Sequence, residues 1–125
     1  MSDLLVDRHG HVTVFTLNRP QKLNALTRSM GEEFMLAMAE FSADRDQYVA
    51  IVTGAGDKAF SSGVDLAELA SVLEAGSETT NAGAASVDLW GVGQCPKPTI
   101  AAVNGLAVAG GLELSLRDRH WQHPR

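Results

Sequence analysis

Short apolar runs alternate with polar stretches along the first part of the chain. Residues 4–6 and 12–17 are apolar or β-branched, and the polar stretch 7–11 between them contains a glycine. Two strand-length runs joined in this way predict a β-hairpin. Pro20 removes a backbone donor and restricts the residue before it, so residues 18–22 are predicted to end the second strand in a surface loop.

The apolar period changes from that of a strand to that of a helix at Thr27. One helical stripe is formed by Met30, Phe34, Ala37, Met38 and Phe41. Their spacing predicts an amphipathic helix, with either Thr27 or the capping-box pair Ser29 and Glu32 at its start. The continuous apolar run 49–53 then predicts a strand buried on both faces, so strand, helix and strand form a βαβ crossover.

The next segment has weaker periodicity. Residues 57–64 are predicted to be irregular, and Asp65 is predicted to cap a short helix that starts over residues 65–70. Residues 76–86 are rich in Ser, Thr, Asn, Gly and Ala, which predicts the most flexible segment of the chain.

A second β-α unit follows this segment. Residues 96–98 predict an extended entry, 99–103 a buried strand, and 109–116 a helix that begins within glycines. The tail 117–125 is polar and basic and has no helical or strand periodicity. We therefore predict one domain over residues 1–116 and an atypical tail over residues 117–125.

Composition and charge narrow the class of protein. The 125 residues suit one domain, and 45% apolar with 20% charged residues is ordinary globular usage. A net charge of -5 argues against nucleic acid or an anionic membrane surface as a partner. No apolar stretch is long enough to span a bilayer, and Cys95 has no second cysteine to pair with. We expect a soluble, cytoplasmic protein with no membrane partner.

Two local patterns suggest chemistry that their context does not favour. Residues 54–59 fit the G-x-G-x-x-A pattern of a dinucleotide site, but no apolar helical period follows, so a tight turn is the favoured interpretation. Ser61 and Ser62 lack the G-x-S-x-G context of a serine nucleophile. The histidines lie in the hairpin turn and the tail, namely His9, His11, His120 and His123.

Two glycine-containing corners are candidates for anion binding. Ser61, Ser62 and Gly63 precede a helix start, so the Val64 amide is a candidate donor. Gly110 and Gly111 open the last predicted helix, where free amides and the helix dipole suit a developing oxyanion. The structural alternative is that Gly105, Gly110 and Gly111 allow close packing of helix on sheet.

One carboxylate is a candidate general base. Glu113 lies among leucines within one turn of the second glycine corner, where partial burial would raise its pKa. A solvent-exposed helix face is the alternative. Cys95 has no basic neighbour and is interpreted as an inert thiol, and metal-ligand spacings are absent from the sequence.

Three ordered motifs closely resemble the crotonase superfamily, the enoyl-CoA hydratase/isomerase family. They are LNRP through NAL at residues 17–26, AIVTG with KAFSSGVDL at 50–66, and KPTIAAVNG through EL at 97–114. The resemblance covers residues 3–116. It implies an α/β crotonase-like superhelix of ββα units, C-terminally truncated because family members are roughly twice this length. Full-length members assemble as homotrimers or hexamers.

The resemblance also implies roles for individual residues. The amides of Val64 and Gly110 would form the oxyanion hole, and Glu113 would be the acid/base that activates water. Gln21, Lys22 and Leu23 would flank the CoA nucleotide, while Ser62, Asp65 and Leu66 would flank its pantetheine arm and adenine. Coenzyme A is part of the substrate, so no separate cofactor or metal is expected.

The function that this resemblance implies is hydration of 2-trans-enoyl-CoA to 3-hydroxyacyl-CoA. Ala109 replaces a usual family glycine, and the second hydratase glutamate would lie beyond Arg125. A frameshift or early stop after Leu116 is therefore our hypothesis for the tail. The alternatives are a noncatalytic, truncated acyl-CoA-binding fragment and a Rossmann-like dinucleotide binder.

Overall fold

The computed structural model describes residues 2–74, 95–108, 111 and 120–122. Its elements are β1 (Leu4–His9), β2 (Val12–Leu17), a 3-10 helix (Pro20–Lys22), α1 (Arg28–Ala43), β3 (Val49–Gly54), β4 (Ala59–Ser61), α2 (Leu66–Glu74), β5 (Thr99–Ala102), β6 (Leu106–Ala107) and β7 (His120–Gln122). The predicted flexible segment 76–86 lies outside the described residues. The predicted helix 109–116 also does, except for Gly111, which is helical.

The described strands form two sheets. The larger has the order β1-β2-β3-β5-β7, in which β1 is antiparallel to β2 and the other neighbours are parallel. The smaller pairs β4 with β6 in parallel. The hairpin and the βαβ crossover from β2 through α1 to β3 are confirmed. The orders β1-β2-α1 and β3-β4-α2 repeat a ββα unit, which agrees with the predicted crotonase-like α/β fold.

The core lies between the larger sheet and α1. The predicted helical stripe is buried at Met30, Phe34, Met38 and Phe41, and Ala37 packs at its margin. The Phe15 ring lies 5.3 Å from that of Phe34 and 6.1 Å from that of Phe41, measured between centroids. Large apolar side chains removed from water in this way are the main favourable contribution to folding.

The prediction that the strand at 49–53 is buried on both faces was wrong. Ala50 and Val52 are fully buried, whereas Val49 and Ile51, which alternate with them, are only half-buried. The physical reason is that α1 covers one face of the sheet, so burial alternates along β3 with the period of two that a strand imposes.

Three other segments are more regular than their sequence patterns indicate. The hairpin strands extend to His9 and Val12, so the turn contains only Gly10, at φ +61°, and His11. Residues 59–61, predicted to be irregular, form β4, and tail residues 120–122 form β7 beside β5. Backbone ladders need no apolar alternation, so partners distant in sequence can order segments that lack a pattern.

The C-terminal end of α1 is held by a lysine from a distant segment. The Lys97 ammonium donates to the carbonyls of Phe41, Asp44 and Gln47 at 2.6, 2.6 and 2.8 Å. It also lies 4.8 Å from the centroid of the Phe41 ring. A cation at a helix C-terminus satisfies free carbonyls and opposes the helix dipole, so Lys97 ties the entry to β5 to the end of α1.

Thr27 is the N-cap of α1, which decides between the two starts that the sequence left open. Its hydroxyl accepts from the Met30 amide at 3.2 Å, while Ser29 lies inside the helix. We expect Thr27→Ala to lower the free energy of unfolding by about 1 kcal/mol, because a helix-start amide loses its acceptor. Urea unfolding measures the change, and Ser29→Ala is the matched control, expected within about 0.5 kcal/mol of wild type. Equal losses in the two variants would contradict the assignment.

Neither helix in the described part of the chain has the length and apolar character needed to cross a membrane.

Candidate functional site

The first predicted substrate-binding segment is a tight turn that follows β2. Gln21 and Lys22 belong to the 3-10 helix and are exposed. Leu23 and Asn24 both have φ of 53°, in the left-handed region, and the side chain of Leu23 is 39% exposed. The turn thus presents Gln21, Lys22 and Leu23 to solvent and directs Asn24 inwards, where it is completely buried.

The second predicted segment lies directly beside the first. The Ser62 amide donates to the Leu23 carbonyl at 3.0 Å, which joins segments that are 39 residues apart in sequence. Gly63 has φ of +97°, a backbone conformation that residues other than glycine rarely adopt. The chain then reaches Asp65 and the exposed Leu66, the first residue of α2. The structure therefore brings together the two groups that the resemblance assigned to CoA.

The Val64 amide is available for a ligand. Val64 and Leu26 form a parallel bridge in which the Leu26 amide donates to the Gly63 carbonyl at 2.7 Å and the Asp65 amide to the Leu26 carbonyl at 2.9 Å. Successive groups of an extended segment point to opposite sides, so the Val64 amide is directed away from Leu26. Within the part of the chain that the structure describes, this amide donates to no acceptor.

The second glycine corner packs against the first through Ser61. The Val108 amide donates to the Ser61 carbonyl at 3.2 Å, and the Gly111 amide donates to the Val108 carbonyl at 2.9 Å. A Cβ atom on Gly111 would overlap the Ser61 carbonyl oxygen, so the close-packing role of this glycine is confirmed. Gly110 and Glu113 lie outside the described residues, and their roles stay predictions.

Gly105 also permits a close approach of two backbones. A Cβ atom added there would lie 2.5 Å from the Lys58 carbonyl oxygen. The close-packing alternative therefore applies to Gly105 as well as to Gly111, and it is compatible with an anion-binding corner built from neighbouring amides.

Two asparagines, the buried Asn24 and the half-buried Asn104, organise the site, and the sequence analysis assigned no role to either. The Asn24 side-chain amide donates to the carbonyls of Ala55 and Ala59 at 3.0 and 2.9 Å, and its oxygen accepts from the Arg19 amide at 2.9 Å. Asn104 donates to the Ala59 carbonyl at 3.1 Å from the other side. Both residues lie in the motifs that carry the family resemblance, which was the signal that could have identified them.

The Asp65 carboxylate confirms the predicted helix cap. Its Oδ1 atom accepts from the Glu68 amide at 3.0 Å, and its Oδ2 atom accepts from the Arg19 guanidinium at 3.0 Å. The hydrogen bond from the Glu68 amide, followed by that from Arg19, lowers the pKa of Asp65 below its ordinary value. Asp65 is therefore an anion that starts α2 next to the Val64 amide.

The dinucleotide-binding interpretation is contradicted by the turn after β3. Residues 55–58 lead into β4 rather than into the helix that a phosphate-binding glycine turn requires. A Cβ atom on Gly54 would lie 2.5 Å from the Phe60 carbonyl oxygen, so this glycine permits close packing between strands. A cleft of about 190 Å³ lies beside the turn, lined by Pro20, Asn24 and residues 55–59.

The serines and the cysteine have structural partners. The Ser61 hydroxyl donates to the Asn24 carbonyl at 2.8 Å and accepts from the Gly63 amide at 3.1 Å. His9 was predicted in the hairpin turn but is the exposed last residue of β1, because the strand pairing extends to His9 and Val12. Cys95 is buried with its sulfur 3.3 Å from the Ser42 hydroxyl. Among the described residues, no group of three or more His, Cys, Asp or Glu side chains could hold a metal.

Comparison with known proteins gives matches along most of the chain. The sequence profile of a family described as enoyl-CoA hydratase/isomerase matches residues 7–117. A Thermus thermophilus protein assigned as an enoyl-CoA hydratase is 43% identical over 109 residues, which are 86% of this chain and 43% of that protein. The mitochondrial 3-hydroxyisobutyryl-CoA hydrolase of Rattus norvegicus is 32% identical over 123 residues, which are 92% of this chain and 30% of that protein.

Solved structures give a corresponding match in three dimensions. The crystal structure of an enoyl-CoA hydratase/carnithine racemase from Magnetospirillum magneticum superposes with a TM-score of 0.84 at 38% sequence identity. The match covers 97% of this chain and 46% of that one. The chain therefore spans less than half the length of each of these relatives.

Proposed function

Because the chain belongs to the enoyl-CoA hydratase/isomerase family, we propose that it binds acyl-CoA thioesters and supplies the amides that polarise their carbonyl group. The observation that carries this proposal is the Val64 amide, which is free of acceptors in the described part of the chain and lies beside the two candidate CoA-binding segments. The proposed reaction is hydration of 2-trans-enoyl-CoA to 3-hydroxyacyl-CoA.

The chemistry assigns a separate task to each group. The amides of Val64 and Gly110 donate to the thioester oxygen, on which negative charge develops as the oxygen of water bonds to C3. Glu113 accepts a proton from that water and returns it to C2, which completes the addition of water across the double bond. Donors placed in advance stabilise this charge without reorganisation, which is why backbone amides in a rigid corner suit the reaction.

The rest of the substrate would lie along the two joined segments. Gln21 and Lys22 are exposed beside Leu23, and the side chain of Leu66 is 77% exposed. These side chains are accessible to the nucleotide and pantetheine parts of CoA. We also propose a cytoplasmic location, which the buried free thiol of Cys95 supports because unpaired thiols persist in reducing compartments.

Titration calorimetry with crotonyl-CoA and with NAD, together with a hydration assay, tests the proposal. We expect binding of the thioester and not of NAD, and loss of the conjugated enoyl absorbance on hydration. Glu113→Gln is expected to lower turnover by about 10²-fold or more, because it removes the proton acceptor. Glu74→Gln, at the exposed end of α2, is the matched control and should leave turnover unchanged.

The possible outcomes separate the competing functions. Thioester binding without hydration in the wild-type chain would identify the noncatalytic binding fragment. Binding of NAD alone would reject the proposal. Equal turnover in Glu113→Gln and wild type would remove Glu113 from the mechanism.

A further inference from the structure

One ion pair at the site differs from the others in the described part of the chain. Arg19 and Asp65 are 46 residues apart, and each side chain is only 14% exposed. By comparison, the Arg8 side chain is 57% exposed in its pair with Asp44. A pair shielded from water is less screened than a surface pair, and so it holds its geometry more strongly.

The Arg19 guanidinium connects the two candidate CoA-binding segments. One of its nitrogens, Nη1, donates to the Ala25 carbonyl at 2.9 Å and to Asp65 Oδ2 at 3.0 Å. Ala25 follows the exposed turn of the first segment, and Asp65 starts α2 in the second. The same side chain therefore ties the turn after β2 to the residue that follows Val64.

Asp65 is restrained at three further points. Its Oδ1 atom accepts from the Glu68 amide, its own amide donates to the Leu26 carbonyl, and its carbonyl accepts from the Leu69 amide at 3.0 Å. These bonds hold the peptide group between Val64 and Asp65. The Leu26 amide, which donates to the Gly63 carbonyl at 2.7 Å, holds the preceding peptide group, which carries the Val64 amide. Rotation at Asp65 would also break the bridge that directs the Val64 amide away from Leu26.

We infer that Arg19 is a positioning residue for the oxyanion corner: through Asp65 it holds the Val64 amide in the direction in which a thioester carbonyl would meet it. The inference rests on the proposed function. Arg19 itself need not touch the substrate, because its effect is transmitted through the Asp65 carboxylate and the Leu26 bridge. A small displacement of a preorganised donor is sufficient to weaken its action on a developing charge.

The charged groups around Asp65 set the expected pH dependence. Arg19 faces it from the turn, with the more exposed Asp3 carboxylate 3.8 Å from Arg19 Nε. Glu68 of α2 directs its carboxylate to the Arg28 amide at 3.1 Å, at the start of α1. Because the pKa of Asp65 is lowered in the folded chain, the ionised Asp65 carboxylate stabilises the folded state at pH values above its unfolded pKa. This stabilisation is lost as pH falls through the folded pKa. Removing Arg19 should raise that pKa, so the loss should occur at higher pH.

The test compares Arg19→Met with Arg8→Met, a matched change at an exposed ion pair. Amide hydrogen exchange at Leu26 and Asp65 should become at least about tenfold faster in Arg19→Met, as expected for one lost charge-assisted hydrogen bond. Exchange in the β1–β2 hairpin should stay within about twofold of wild type. Arg8→Met should change neither region, and NMR titration of the Asp65 carboxyl should report a raised pKa only in Arg19→Met.

A spectroscopic measurement separates positioning from simple support of the fold. A conjugated enoyl-CoA thioester absorbs at longer wavelength when its carbonyl is polarised. Arg19→Met should reduce this red shift while changing the Kd of the thioester by less than about threefold, because most of the CoA contacts remain. Arg19→Lys should recover part of the shift, since an ammonium keeps the charge but lacks the planar set of donors.

Asp65→Asn provides a second variant if Arg19→Met does not fold. Asparagine keeps the helix cap and removes the ion pair, so it should give the same local acceleration of exchange. Unchanged exchange at Leu26 and Asp65, or equal acceleration throughout the hairpin, would overturn the inference. If the wild-type chain binds no thioester, the proposed function fails, and the exchange measurements still decide whether Arg19 orders the corner.

Discussion

Replacing Val64 with proline is expected to lower the rate of enoyl-CoA hydration by about 10²- to 10³-fold, the usual effect of removing one oxyanion donor. Proline lacks the amide hydrogen but leaves the two bonds of the Leu26 bridge, which use the Gly63 carbonyl and the Asp65 amide. The Val64 amide has no acceptor among the described residues, so proline removes no hydrogen bond within that part of the chain. The assay is hydration of crotonyl-CoA together with the red shift of a bound conjugated thioester.

Val64→Ala is the control for this prediction, because it shortens the side chain and retains the amide. It should keep most of the activity and the red shift. An amide-to-ester replacement at Val64 removes the donor with a smaller change of shape, and it decides the result if the proline variant is less stable. Hydration at the wild-type rate in a folded ester or proline variant would show that Val64 is not an oxyanion donor.

Asn24→Ala is expected to lower the free energy of unfolding by about 3–5 kcal/mol, the largest stability effect that we predict. The substitution leaves the Arg19 amide and the Ala55 carbonyl without their side-chain partner, each at a cost of about 1–3 kcal/mol when buried. Alanine also tolerates the left-handed conformation of this residue less well than asparagine. Urea unfolding followed by circular dichroism measures the change.

Asn18→Ala is the matched control for Asn24. The Asn18 side chain makes a single described hydrogen bond, from its amide to the exposed Ser2 carbonyl, so its loss should cost less than about 1 kcal/mol. Equal destabilisation in the two variants would contradict the role of Asn24 as the organising residue. A stable Asn24→Ala variant that still binds thioester would contradict it more directly.

Local chemistry was sufficient to predict the elements that depend on near neighbours. The stripe from Met30 to Phe41 predicted α1 because its members lie on one face at a spacing of three or four residues. Asp65 was predicted as a cap because the amide that it accepts from is only three residues away. The same reasoning did not detect β4 or β7, whose order depends on pairing with β6 and β5.

The sequence by itself determined the family, the order of the first hairpin, α1 and β3, and the residue types available at both corners. Only the tertiary structure decided how those residues are used, including the direction of the Val64 amide, the burial of Asn24 and the pairing of Arg19 with Asp65. The physical reason is distance along the chain. Hydrogen bonds and ion pairs between segments depend on how sheet and helix pack, and residues 31 or 46 positions apart leave no local periodicity that would reveal their contact.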